Sequence, residues 1–284
     1  MPELPEVEIV RRELSPVMTG ARIDNVELRR PDLRVPFPRR FRSRLEGRTV
    51  TRLERRAKYL LAGLSSGETL VMHLGMSGSF RIATAGDVNL KADTTSQSAG
   101  AARDRHDHVL FHLSSGATVI FNDPRRFGVM DLLPPGGLSA HPALGTLGPE
   151  PLSDDFDGVA LARACAGKKT ALKAALLDQR VVSGPGNIYV SEALHLAGLS
   201  PHRRASTIAT PGGAARETAH RLAAAIKQVL DEAIARASGI RYRSSRFRVY
   251  DREGAPCRRR GCRGIIRRRT QAGRSTFYCG VCQR

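Results

Sequence analysis

Cys257-Arg258-Arg259-Arg260-Gly261-Cys262, followed after sixteen residues by Cys279-Gly280-Val281-Cys282, closes a chain of 284 residues and decides how its last part must fold. Two close cysteine pairs separated by a loop of hairpin length can converge on one tetrahedral zinc ion, which takes thiolates readily and lets so short a segment fold. Between the pairs, Gly264-Ile265-Ile266-Arg267-Arg268-Arg269-Thr270 and Arg274-Ser275-Thr276-Phe277-Tyr278 read as two strands around a turn at Gln271-Ala272-Gly273. The expectation is a zinc-stapled β-hairpin with a basic rim. A pair of disulfides is the alternative, but the chain opens with no charged-then-apolar signal segment, so export to an oxidising compartment has no support.

Charge extends this reading beyond the hairpin. The formal net charge is +19, and residues 239–284 hold 14 Arg and no Lys against one Asp and one Glu, so +12 of the total sits in the tail. Such asymmetry points to a polyanion, of which nucleic acid is the commonest, bound with counterion release. Arginine suits that partner better than lysine because its planar fork grips phosphate and stacks on bases. No apolar run approaches the roughly 20 residues of a membrane span, so a membrane partner is excluded from the reading. The fifth cysteine, Cys165, lies in an Ala-rich helical pattern and reads as a small core residue.

Upstream, residues from about 22 to 133 alternate apolar and polar positions between short turns, as an antiparallel β domain does. Two hairpins echo each other there. Residues 58–64 turn at Ser65-Ser66-Gly67 into 69–73, and residues 109–113 turn at Ser114-Ser115-Gly116 into 118–121, which suggests a sandwich. Residues 83–104 have no period and are expected to be a mobile surface loop. Breakers from Pro134 to Pro151 read as a linker.

Beyond Pro151 the period becomes 3.6, with helices expected at 156–166, 170–178, 187–197 and 213–237. On the last, Leu222, Ile226, Val229, Leu230, Ala233 and Ile234 share one face. The link Val181-Val182-Ser183-Gly184-Pro185-Gly186-Asn187 joins two of these helices, and Asn187 is expected to cap the second. Amides exposed there could hold a phosphate, though the loop taken alone is an ordinary helix connection.

The chain begins Met1-Pro2-Glu3-Leu4-Pro5-Glu6-Val7-Glu8. Removal of Met1 would leave Pro2 with a secondary amine, and α-amino groups titrate near 7.7–8.0, so a neutral fraction able to attack an electrophilic carbon exists at cellular pH. Condensation at that amine gives an iminium cation, an electron sink, and Glu3 beside it could shuttle protons. Equally, Pro and Glu at a chain start suit the first turn of a helix.

Taken together, the Pro-Glu-Leu-Pro-Glu-Val-Glu start and the four-cysteine tail resemble the bacterial formamidopyrimidine-DNA (8-oxoguanine-DNA) glycosylase family. Intermediate segments agree: Arg55-Arg56-Ala57-Lys58-Tyr59, His73-Leu74-Gly75-Met76-Ser77-Gly78, His106-Asp107-His108-Val109, Asp123-Pro124-Arg125-Arg126-Phe127-Gly128, Leu147-Gly148-Pro149-Glu150-Pro151 and Gly186-Asn187-Ile188-Tyr189. The sister family, endonuclease VIII, shares the Pro-Glu start but reads differently after it.

The resemblance implies a multidomain α+β fold. Residues 1–134 would form a catalytic β-sandwich with a flanking N-terminal helix, 135–151 a linker, 152–238 a helix-two-turn-helix domain, and 239–284 a shortened lesion loop with the zinc finger. It implies base excision of oxidised or ring-opened purines followed by strand cleavage, with Pro2 as nucleophile, Glu3 as acid/base, Lys58 as a further proton donor and Arg274 as a phosphate contact that assists elimination. Met76, Arg125 and Phe127 would fill the gap left by an extruded nucleotide, while His106, Lys168 and Asn187 would touch phosphates. Without the resemblance, Met76 and Phe127 would read as sandwich core. Cys257, Cys262, Cys279 and Cys282 would hold one structural zinc, and the partner would be damaged double-stranded DNA, met by a monomer in the bacterial cytoplasm.

Three departures from the family pattern stand out. Only Gly239 to Phe247 occupy the place of a longer Gly-rich segment that closes over the lesion, Pro185 replaces a small apolar residue, and four residues rather than two separate Cys257 from Cys262. A sister enzyme with altered lesion range and a non-catalytic zinc DNA-binding protein are therefore the alternatives.

Overall fold

A computed structural model of the protein describes residues 2–84, 104–236 and 247–284. The expected loop within 85–103, most of the shortened segment at 239–247, and Met1 lie outside the described residues. The chain separates into two compact units, one comprising Met1–Pro2 and Glu6–Leu144, the other Glu3–Pro5 and Gly145–Arg284.

In the first unit two four-stranded antiparallel sheets form. One has the order β1 (Ile23–Leu28), β6 (Asp107–Leu113), β7 (Thr118–Asn122), β5 (Ser79–Ala83); the other runs β2 (Val50–Arg56), β3 (Tyr59–Leu64), β4 (Thr69–His73), β8 (Val129–Leu133). Alternation along the strands explains their packing. Leu60, Ala62 and Leu64 of β3, Leu70 and Met72 of β4, Val109, Phe111 and Leu113 of β6, and Val119 and Phe121 of β7 enter one core, so the two sheets form a sandwich. Val7, Leu14 and Met18 of helix α1 (Leu4–Met18) join that core, and so do both ends of α2 (Phe41–Leu45). The echoing hairpins share a device: Gly67 and Gly116 both turn at φ 82, a left-handed conformation that glycine adopts without strain. β5 reaches Ala83, which is buried, so the structured region extends one residue into the stretch expected as loop.

The second unit is helical: α3 (Gly158–Cys165), α4 (Leu172–Leu177), α5 (Asn187–Ala197), a 3-10 turn (Ala205–Ile208) and α6 (Glu217–Arg236). Its core gathers Leu4, Cys165, Val182, Leu194 and all six residues of the expected α6 face. Helix α6 starts four residues later than its periodicity suggested, because Ala215 instead bridges to Ala209. Asp157 caps α3 by accepting from the Ala160 amide at 2.7 Å.

Strands β9 (Ile266–Gln271) and β10 (Arg274–Cys279) make the tail hairpin. Gln271 pairs with Arg274, so the turn is the two residues Ala272 and Gly273, at φ 50 and 70, and not the expected three. Two successive left-handed residues match the twist of an antiparallel pair. Gly264 and Ile265 precede the strand.

Candidate functional site

Glu3 is held by atoms far away in sequence. Its carboxylate accepts from the amides of Gly186 at 2.7 Å, Ile188 at 3.0 Å and Tyr189 at 3.4 Å, and the side chain is almost wholly buried. These are the first amides of α5, which no residue of the helix can satisfy, and the helix dipole favours an anion at that end. Asn187 is therefore not the cap. It is the first helical residue, Gly186 occupies the capping position without a side chain to offer, and Glu3 supplies the acceptor. Gly186 is needed because a Cβ there would fall 2.5 Å from the Glu3 Cδ.

Freed from capping, Asn187 donates its Nδ2 to the Ser275 carbonyl at 3.0 Å. That same carbonyl accepts from the Lys173 Nζ at 2.9 Å, and the Lys173 Nζ also reaches the Thr276 hydroxyl at 2.8 Å. The residue before Ser275 is Arg274, exposed at the start of β10. Burial, then the Arg274 charge, pulls the Lys173 amine down to about 8, against the Glu3 carboxylate. Hence Glu3, Asn187 and the strand carrying Arg274 are tied into one hydrogen-bonded assembly within the second unit. Lys168 follows the left-handed Gly167 after α3, half-buried, with its carbonyl accepting from Ser206 at 3.1 Å.

Within the first unit, Lys58 lies in the two-residue turn between β2 and β3, preceded by Ala57, a buried residue held at φ 52. A non-glycine residue in that region carries strain that the surroundings must offset. The following Tyr59 ring lies 4.7 Å from the His73 ring, whose Nδ1 accepts from the Gly75 amide at 3.1 Å. Burial, and then the positive charges of Lys58 and Arg34, pushes His73 down to about 4.

Met76 and Phe127 are not core residues. They are 40% and 38% exposed, and the Arg125 guanidinium lies over the Phe127 ring at 4.7 Å. Their loops are locked together: a Cβ on Gly75, at φ 62, would strike the Phe127 carbonyl at 2.3 Å. Buried Asp123 accepts from the Ser77 hydroxyl at 2.5 Å and the Gly128 amide at 2.7 Å, and the Arg125 amide donates to the Ser77 hydroxyl at 3.2 Å. An exposed apolar pair on a braced loop can leave water for a stacked surface at little internal cost. His106, half-buried just before β6, accepts from Arg105 at 3.0 Å.

Sequence reasoning missed Lys173, Asp123 and Glu192. The last, a buried carboxylate of α5, accepts from the amides of Arg248, Val249 and Tyr250 at 2.7–2.9 Å. For Lys173 and Glu192 one signal was available, a charged residue in a mainly apolar stretch, as in Leu172-Lys173-Ala174-Ala175-Leu176; Asp123, between Asn122 and Pro124-Arg125-Arg126, gave none.

The four tail cysteines lie with their sulfurs within 4.8 Å of one another, Cys257 to Cys282 at 3.7 Å and Cys262 to Cys279 at 3.6 Å. Zinc–sulfur bonds of about 2.3 Å at tetrahedral angles place sulfurs about 3.8 Å apart, so the set fits that ion. None of the five cysteines forms a disulfide; Cys165 is buried in the helical core, where burial raises its thiol to about 11.

Family models for the formamidopyrimidine-DNA glycosylase N-terminal domain and its H2TH domain match residues 1–130 and 147–244. The chain belongs to the formamidopyrimidine-DNA glycosylase family. Among its relatives, the formamidopyrimidine-DNA glycosylases of Bradyrhizobium sp. (strain ORS 278) and Azorhizobium caulinodans are 56% and 55% identical to it, over the whole of each chain. The Lactococcus lactis formamidopyrimidine-DNA glycosylase, solved with DNA containing an abasic site, aligns over all of both chains at 31% identity and a TM-score of 0.84. A structure of MutM with DNA containing carbocyclic 8-oxoguanine aligns equally far, at 30% and 0.84. The α+β fold, with its antiparallel sheets, H2TH region and four-cysteine hairpin, is that of the family. Among the described residues, no helix is long and apolar enough to cross a membrane.

Proposed function

We propose that this chain is a bifunctional base-excision repair enzyme that removes oxidised or ring-opened purines from double-stranded DNA and then cleaves the abasic strand. The observation that carries the proposal is the Glu3 carboxylate, fixed by three amides at the start of α5 directly beside Pro2 in the chain. A carboxylate at a chain terminus is seldom buried and so fully bonded unless its position matters. The structures of relatives with abasic-site and lesion-containing DNA support DNA as the partner.

In this proposal Met1 is removed and the Pro2 nitrogen attacks the deoxyribose C1′. The bond from C1′ to the damaged base breaks, and the base leaves with the electron pair and takes up a proton. Glu3 delivers a proton to the ring oxygen as C1′–O4′ opens, leaving an iminium between Pro2 and C1′. The cation acidifies the C2′ proton; its removal expels the 3′ phosphate, and a second elimination expels the 5′ phosphate. Water then frees Pro2. Lys58 donates a proton and contacts phosphate near the lesion, and Arg274 holds phosphate as elimination proceeds.

The target nucleotide must leave the stack, which costs a few kcal/mol and least for a damaged base. Met76 and Phe127, exposed on their braced loop, fill the gap, and Arg125 addresses the orphaned cytosine. His106, Lys168 and Asn187 position the backbone. Zinc at Cys257, Cys262, Cys279 and Cys282 would keep the hairpin folded around Arg274. The division proposed is a catalytic sandwich at 1–134, a linker at 135–151, helix-two-turn-helix at 152–238 and the zinc module at 239–284, acting as a cytoplasmic monomer.

Borohydride added during incubation with 8-oxoguanine opposite cytosine tests the scheme. Covalent capture is expected with the wild type and not with Pro2→Gly or with protein retaining Met1. Wild-type protein that cleaves lesion DNA without capture would overturn the iminium. A panel of ring-opened purine, oxidised pyrimidine and abasic duplexes reads the lesion range.

A further inference from the structure

Helix α5 and the first cysteine knuckle are joined by two contacts that run in opposite directions. From the helix, buried His195 places its Nε2 3.2 Å from the Cys257 sulfur and 3.8 Å from that of Cys282. From the knuckle, Arg259 donates to the His195 carbonyl and, at 3.0 Å, to the Leu196 carbonyl. Both carbonyls belong to the last turn of α5, at the negative end of its dipole, and that of His195 also accepts from the Gly198 amide at 3.0 Å. The Arg259 amide also donates to the Cys257 sulfur at 3.4 Å. Arg259 is the second of the four residues that separate Cys257 from Cys262.

We propose that His195 is a positioning residue for the metal centre: its Nε2–H donates to the Cys257 thiolate, and with Arg259 it latches the zinc knuckle to the C-terminal end of α5. A thiolate is an acceptor without a proton, so the ring nitrogen facing it must be the donor. A buried thiolate that loses such a donor keeps more charge unshared, binds protons better and releases its metal more readily. The remaining ring nitrogen, Nδ1, is buried without a partner among the described residues, which leaves the cysteine sulfurs, that of Cys257 the nearer, as the imidazole's polar anchor. The latch also closes a loop of contacts around one helix. The N-terminal amides of α5 hold Glu3, its Glu192 holds the amides of residues 248–250, and its C-terminal turn holds the metal knuckle. Zinc loss would then be felt along α5 as well as in the hairpin.

This inference rests on the zinc reading, and the test separates the two. The metal content of the purified full-length protein is measured first; less than one zinc per chain would sink the metal centre itself. On zinc-loaded protein, release to an excess of chromogenic chelator is then timed for the wild type, His195→Phe, which keeps the apolar volume and removes the donor, and His195→Gln, which keeps an N–H donor. Release is expected to quicken by about 10–100-fold in His195→Phe and to return most of the way in His195→Gln. The thiolate-to-metal charge-transfer band of the cobalt-substituted protein should shift to lower energy in His195→Phe only. Wild-type release and an unmoved band in His195→Phe would overturn the proposal, and so would equal loss in both variants, which would mark a packing effect. Arg259→Met should release zinc faster than the wild type with the band unmoved; wild-type release would remove Arg259 from the latch.

Discussion

Gly186→Ala adds a single methyl group, and its consequence can be worked out from the structure. The backbone at Gly186 (φ −126, ψ −155) is open to any residue, so no conformational penalty arises. The new Cβ would lie 2.5 Å from the Glu3 Cδ and 2.6 Å from its Oε1, well inside contact distance, so the carboxylate must leave its amides. Of the bonds lost, those at 2.7 and 3.0 Å are the strong ones. Hydrogen bonds to a charged group are each worth about 1.5–3 kcal/mol, giving about 3–6 kcal/mol for the pair. Water reaching the displaced carboxylate recovers part, so a loss of about 3 kcal/mol is expected, a drop of roughly 6–12 °C in Tm for a unit of this size. If Glu3 acts as proposed, excision should fall further, because moving a catalytic group by an ångström costs about 100-fold. Differential scanning fluorimetry reads the first effect, and single-turnover release of a ring-opened guanine reads the second. Glu3→Ala and the double variant complete a cycle, in which Gly186→Ala should add little once the side chain it strikes is gone. A Gly186→Ala protein with wild-type melting and excision, or fully additive losses, would refute the claim that this glycine exists to seat Glu3.

Four other predictions follow from the same geometry. Glu3→Gln should impair base excision while sparing cleavage of a preformed abasic site, and equal loss of both would contradict separate roles for Pro2 and Glu3. Phe127→Ala should melt within about 1 °C of the wild type yet excise poorly, since the ring is exposed; a loss of the about 3–5 kcal/mol typical of a core phenylalanine would return Phe127 to the interior. Stripping zinc, verified by metal analysis, should abolish DNA binding by releasing the hairpin that carries Arg274, and undiminished affinity would break that link. Finally, burial would raise the Glu8 carboxyl, but hydrogen bonds from Arg11 and Arg12 and the charges of Arg11 and Arg55 hold it at about 2. Its folded value lies below its unfolded one, so the stability it gives is present above about pH 4.5 and is lost as pH falls towards 2. With partial solvent screening that amounts to about 1–2 kcal/mol, and the melting curves of wild type and Glu8→Gln should converge across that window.

The sandwich was legible because buried strands alternate by necessity, and the α5 boundaries because Gly186 and Gly198 bracket an apolar run. The cysteine spacing likewise reads directly, since a tetrahedral ion leaves few arrangements for four sulfurs. What escaped was long-range hydrogen bonding. Asn187 looked like a cap because capping is usually local; nothing in residues 181–187 says that an acid 183 positions away in sequence takes the role. Met76 and Phe127 read as interior from hydrophobicity alone, and only the family resemblance gave them a reason to face solvent. The α6 start and the tail turn were misplaced by a few residues, because isolated bridges and strand register depend on pairing partners that a local window does not contain.

The bond between residue 3 and residue 186 also sets an order of events during synthesis. The N-terminal sandwich leaves the ribosome first and can fold while the rest is being made, but the amides that seat Glu3 are not yet translated. In the proposed mechanism, a nascent or truncated chain ending before α5 would therefore carry its nucleophilic amine next to an unanchored acid. On that reading, competence to cut DNA would arrive late, with the helix proposed to contact phosphate, and an incomplete chain would have little means of nicking the DNA that the complete one is proposed to repair.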